Sequence, residues 1–192
     1  MSESDARKPS SDDFPGLVRE AIGGHEKAFR ELLDRNRQRV MGICCKMLSD
    51  VIEAEEAAQE TFVKVYFHLR EFDLSKEFAV WVSTIAVNEC RDRLRKRSRR
   101  GKLYRELSET DGASMPLENN ERRDARERLD AVESALQLLP DKLREVIILK
   151  AYGEHSYDDI ARILGVRVGT VMSRLFRARR RLTEKLEKGG QD

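Results

Sequence analysis

The chain of 192 residues is 38% charged and 6% aromatic, with four prolines and eleven glycines, a balance that favours long exposed helices over a thick sandwich core. No apolar run reaches the about 18 residues of a membrane span, and the polar opening MSESDARKPSSDDF lacks the apolar segment of a secretory leader. Basic and acidic residues, 37 against 35, nearly cancel to +2, so a polyanion-binding surface has to be sought in the distribution of charge. Cys44, Cys45 and Cys90 are odd in number and fit neither a disulfide framework nor a zinc knuckle; they read as reduced thiols in or near a helical core of a cytoplasmic protein.

Residues 1–13 read as a disordered tail. From Phe14 to about Leu48 the pattern is helical, with Phe29, Leu32, Leu33, Val40, Ile43 and Met47 at mostly three- and four-residue steps. Ser49 or Asp50 can cap the next helix, which carries Glu53, Glu55 and Glu56 near its start and an apolar stripe of Ala58, Phe62, Val65 and Leu69. REFDLSKEF breaks the period and reads as a loop. FAVWVSTIAVNECRDRLRKRSRR resumes a helix with Phe78, Val82, Ile85, Ala86 and Leu94 as inward positions.

That helix runs into a basic stretch. Residues 91–105 hold nine basic side chains, Arg91, Arg93 and Arg95 first among them, against Asp92. A basic helix with Asn88 just upstream of it, beside a polar loop at 72–76, suits an unstacked nucleic-acid strand. The same residues also suit a solvated linker flank, and Trp81 reads as core before it reads as a stacking platform.

Between Gly101 and about Glu127 there are two glycines, one proline, few apolar residues and a charge of −2 from five basic and seven acidic residues. This reads as a flexible linker with nascent helix at either end. Fully extended it would span on the order of 90 Å, so the two halves need not touch. Beyond it, Leu129, Val132, Leu136 and Leu139 mark one amphipathic helix, Pro140 starts the next, and Gly153 can end it.

SYDDIARILGVRVGTVMSRLFRARRRL then reads as two helices around a turn. Ser156 and Asp159 form a capping-box-like start. Ile160, Ala161 and Leu164 face inward, and Gly165 can take the positive φ of the turn. Val168, Val171 and Leu175 anchor the second helix, while Thr170, Ser173, Arg174 and Arg177 lie on or near its other face. Six basic residues against Glu184 occupy 174–185, a clustering that DNA phosphates reward by counterion release. A helix so placed fits the major groove.

With these segments in this order, the chain resembles a bacterial RNA polymerase σ factor of the σ70 family, in its extracytoplasmic-function (ECF) group. AEEAAQETFVKVY resembles the core-polymerase-binding helix, FAVWVSTIAVNECRDRLRKRSRR the −10 recognition helix, and LPDKLREVIILKAYGEHSYDDIARILGVRVGTVMSRLFRARRRL the −35 domain. The resemblance implies an all-α fold of two small helical domains joined by a flexible linker. Residues 14–100 would form the region 2 domain, 101–127 the linker, and 128–188 a four-helix region 4 domain carrying the helix-turn-helix. It also implies contact with the polymerase β′ clamp through Glu56, Gln59, Glu60 and Val63, and with the β flap. The loop Phe72, Asp73, Leu74, Ser75 and Lys76, together with Asn88, Arg91 and Arg95, would hold the −10 non-template strand. Arg167, Thr170, Met172, Ser173, Arg174, Phe176, Arg177 and Arg180 would meet the −35 duplex. Phe176 reads equally as core packing.

Three positions depart from the family's usual pattern: Arg167 where Pro is common, Met172 where Lys or Arg is common, and Glu56 where Asp is common. Met172 removes a polar contact and implies an altered −35 preference. An anti-σ partner, often membrane-tethered in the family, is implied as well. No catalytic residue, metal site or cofactor is expected; His25, His68 and His155 are isolated and no phosphate-binding loop occurs. The alternative of a stand-alone helix-turn-helix regulator would instead require tight duplex binding without polymerase.

Overall fold

The computed structural model describes residues 14–107 and 132–189, and among these no strand occurs. The helical pattern expected across 14–48 divides into α1 (Phe14–Ile22) and α2 (Glu26–Leu48). The break falls where Gly24 adopts φ +91°, a conformation that only glycine enters without strain. Ser49 closes α2 in the left-handed region (φ 64°), and Asp50 caps α3 (Val51–His68) by accepting 2.8 Å from the Glu53 N–H. Of the two candidate caps, Asp50 therefore serves the N-terminus and Ser49 the preceding C-terminus.

A 3-10 turn, Leu69–Glu71, leads to a short loop and then α4 (Phe78–Leu107). The stretch from Gly101 to Leu107, expected to begin the linker, continues α4. The remainder of the expected linker, the tail 1–13 and Leu129 lie outside the described residues. Leu32, Val40, Ile43, Ala54, Val65, Val82 and Ala86 are fully buried where α2, α3 and α4 meet. The small side chains Ala54, Ala57 and Ala58 let α3 approach its neighbours closely. Trp81 is packed with Phe72, 5.0 Å between centroids, and with Phe78, 5.5 Å, which bears out its reading as core.

Cys44 and Cys90 are buried and Cys45 half-buried, all free thiols. A hydrogen bond with Cys44, then burial, raises the Cys90 pKa, and burial raises that of Cys45, so Cys90 and Cys45 hold their protons more tightly than a free thiol.

The second half comprises a helical stretch over 132–137 (α5), α6 (Asp141–Ala151), α7 (Tyr157–Leu164) and α8 (Val168–Gly189). Pro140 precedes α6 as expected. Gly153 follows it for a steric reason: a β-carbon there would lie 2.7 Å from both the Leu149 carbonyl oxygen and His155 Cδ2.

The two halves touch. One apolar cluster runs from Leu32 and Val82 in the first half to Ile148, Leu149, Ile160 and Val171 in the second. Polar contacts cross the same boundary. Arg91 grips Glu145 with two bonds of 2.7 and 2.8 Å. The Arg39 Nε donates 2.9 Å to the Gly153 carbonyl, and His155 Nε2 pairs with Ser83 Oγ at 2.7 Å. Lys46 pairs with Glu133 and lies over the Tyr152 ring.

Candidate nucleic-acid interface

The helix-turn-helix is built by its caps. Ser156 Oγ accepts 3.1 Å from the Asp159 N–H, and Asp159 Oδ2 accepts 3.1 Å from the Ser156 N–H, so the capping box is complete. Burial opposes ionisation of Asp159, but its bonds with Ser156 and the Arg162 charge prevail and hold its pKa below the ordinary value. Gly165 takes φ +66° and its N–H returns to the α7 carbonyls. This fixes α8 across α7 with Val171, Leu175 and Ala178 buried.

The residues expected to meet the −35 duplex lie on the remaining surface of α8, save Arg167, which immediately precedes it. Arg167, Met172, Phe176, Arg177 and Arg180 are exposed, and Thr170, Ser173 and Arg174 are half-buried. Phe176 is 69% exposed, which removes the core-packing alternative. Ser173 Oγ donates 3.0 Å to the Thr170 carbonyl, the Arg177 Nε donates 3.3 Å to the Ser173 carbonyl, and Arg180 pairs with Glu184 at 2.9 Å. Sequence reasoning missed Gly169, which is exposed and has open space around its α-carbon, so an outside surface can approach the helix there.

The loop after the 3-10 turn holds itself together. Asp73 Oδ1 accepts from the Ser75 N–H (3.0 Å) and Oγ (2.7 Å), which tightens the loop and, with Lys76 3.6 Å away, lowers the Asp73 pKa. Leu74 is 46% exposed. Phe72 is 7% exposed and packs against Phe78 and Trp81, and it also lines the cleft that opens beside the loop. A cleft of about 370 Å³ opens beside the loop, lined by Leu74, Lys76 and Phe78 and also by Phe14, Arg35, Asn36 and Arg39. The contributions of α1 and α2 were not foreseen, because nothing in the local pattern ties residues 14–39 to a loop at 72.

Asn88 does not line this cleft. It is exposed on α4 about 15 Å along the axis from Phe78, at 1.5 Å per residue. Of the basic run, Arg91 is occupied by Glu145, whose hydrogen bond raises the guanidinium pKa. Arg95 pairs with Asp92 on the same helix. Arg93 bridges Glu89 at 2.8 Å and Glu56 at 3.0 Å. Burial disfavours ionised Glu89, but hydrogen bonds from Lys64 and Arg93 outweigh it and its pKa is lowered.

The outer face of α3 presents Glu56, Gln59, Glu60 and Val63 together, all exposed. The stripe continues into Tyr66 and Phe67, 63% and 72% exposed and stacked edge to face at 5.6 Å. No described helix is long and apolar enough to cross a membrane.

Known proteins share this organisation. Residues 32–100 match the family described as Sigma-70 region 2, and residues 129–182 match Sigma-70, region 4. The chain is similar to the ECF RNA polymerase sigma factor SigW of Bacillus subtilis, 32% identical over 88% of this chain and 94% of that one. It is similar to the RNA polymerase sigma-H factor of Pseudomonas aeruginosa, 33% identical over 89% and 92%. Among solved structures it is similar to CnrH in complex with the cytosolic domain of CnrY, with TM-score 0.69 and 29% identity over 91% of this chain and 97% of that one. It is equally similar, with TM-score 0.69 and 29% identity, to the sigma factor RpoE of Bartonella quintana in complex with the anti-sigma factor NepR, over 84% and 98%. With two matched regions in the expected order, and relatives aligned nearly end to end, this chain belongs to the σ70 family and to its ECF group.

Proposed function

We propose that this ECF σ factor recruits core RNA polymerase and directs it to promoters by reading duplex DNA at −35 with α8 and the −10 non-template strand beside the 72–76 loop. One observation carries the proposal: a single chain holds two basic surfaces of different kinds. One is a capped helix-turn-helix that offers a helix to a major groove. The other is a cleft whose wall holds Arg35, Arg39 and Lys76 against Glu77, with Phe14, Phe72 and Phe78 beside them, suited to an unstacked base and its phosphates.

Core polymerase would dock on the exposed α3 face of Glu56, Gln59, Glu60 and Val63 through its β′ clamp, with the β flap against the second half. Catalysis would belong to the polymerase, and this chain would act in the cytoplasm as its specificity subunit. The closed packing of the two halves supports regulation by sequestration. Arg91, a candidate −10 contact, is held by Glu145, and Arg39 in the cleft wall is tied to Gly153. The structural relatives in complex with CnrY and NepR support an anti-σ partner that holds this state, membrane-tethered or free.

The test is reconstitution. The full chain mixed with core polymerase should co-elute and initiate at defined start sites from a genomic template, while the chain alone should retain little duplex. Tight, selective duplex binding without polymerase, and no defined starts with it, would replace this reading with the stand-alone regulator.

A further inference from the structure

We infer that Met172, supported by Phe176 one turn on, reads thymine methyl groups in the −35 duplex and so sets a specificity of this chain's own. The inference rests on α8 being the −35 reader. Val171, Leu175 and Ala178 already fill the inward positions of α8 at 0–2% exposure. Met172 and Phe176 stand outside that set, 54% and 69% exposed. Residues four apart are neighbours on a helix surface, so the two form one apolar ridge.

The polar groups beside the ridge are turned toward the helix itself. Ser173 donates to the Thr170 carbonyl and Arg177 to the Ser173 carbonyl. Between them Met172 and Phe176 present an exposed apolar ridge flanked by the exposed Arg177, Arg179 and Arg180. Its surroundings select the occupant: from Val168 to Thr183 there is no acidic residue, while Arg174, Arg177, Arg179, Arg180 and Arg181 are all present. Such a surface complements a polyanion rather than an ordinary protein face. Within the major groove the apolar feature of the base edges is the thymine C5-methyl, and apolar side chains read it. The unbranched thioether of Met172 can adapt to it, where a cationic side chain would seek the acceptors of guanine.

The test uses holoenzyme reconstituted from the full chain and core polymerase, with a double-stranded pool randomised over its −35 and −10 segments. Recovered −35 segments should be rich in thymine at one or two positions. The best duplex is then resynthesised with deoxyuridine replacing each −35 thymidine in turn, which removes a methyl and leaves the protein untouched. At the position facing Met172, wild-type holoenzyme should lose about fourfold in affinity, the worth of one buried methyl, and Met172→Ala should lose nothing further there. Met172→Lys should shift the recovered base toward guanine. Selective recovery with a flat deoxyuridine scan would overturn the inference and leave −35 reading intact, as would a loss that persists undiminished in Met172→Ala. Failure to recover any sequence at −35 would overturn the reading of α8 on which it rests.

Discussion

Gly153 and His155 show how much depends on single residues at the boundary between the halves. A methyl at Gly153 would enter space occupied by the Leu149 carbonyl and the His155 ring, each 2.7 Å away. Gly153→Ala should therefore cost about 1–3 kcal/mol, read as a lower urea midpoint. His155 is 4% exposed and, through burial first and the Arg39 charge second, its pKa falls to about 4. Its proton is bound more weakly in the folded state than in the unfolded one, where the ordinary value is 6.5. Stability from this group is thus complete above pH 6.5 and lost progressively as the pH falls toward about 4. Urea midpoints should drop across that window in the wild type and drop less in His155→Gln. The sequence showed His155 only as one of three isolated histidines; its role comes from Ser83, 72 positions away, and from Arg39.

At the scale of elements, the legible parts were those written in neighbouring residues. The capping box of α7 and the Gly165 turn could be read directly, since each joins residues a few positions apart. Ser156→Ala should cost about 1 kcal/mol by removing the bond to the Asp159 N–H, with the urea m-value unchanged. The division between α1 and α2 was missed because the apolar steps that marked the helix, Phe29 to Met47, all lie beyond Gly23 and Gly24, whose turn signal was not weighed. The cleft by the 72–76 loop was half legible. Its loop residues follow from the broken period, but Arg35, Asn36 and Arg39 arrive from α2 by tertiary packing alone. Asn88, expected with the loop among the −10 residues, stands apart from the cleft on the exposed surface of α4.

For the whole molecule, the pair between Arg91 and Glu145 spans 54 positions and joins the two halves. Its carboxylate side is 9% exposed, so removing one charge leaves the other poorly solvated. Glu145→Gln should weaken closure by about 1–3 kcal/mol, seen as a larger radius of gyration in small-angle X-ray scattering. Combining Arg91→Glu with Glu145→Arg should restore part of the compact form, since the two changes act on one interaction. Neither half's composition could reveal that they meet; a linker long enough to keep them apart permits contact without requiring it.

The apolar seam between the halves has a temporal consequence. Residues such as Ile148 and Ile160 share one cluster with Val82 and Leu32, so parting the halves wets surface that is dry when they are joined. A molecule whose halves had parted would offer that seam to proteases and chaperones until it folded shut. How long a transcriptional pulse outlasts its trigger would follow from the race among reclosure, recapture by polymerase and destruction.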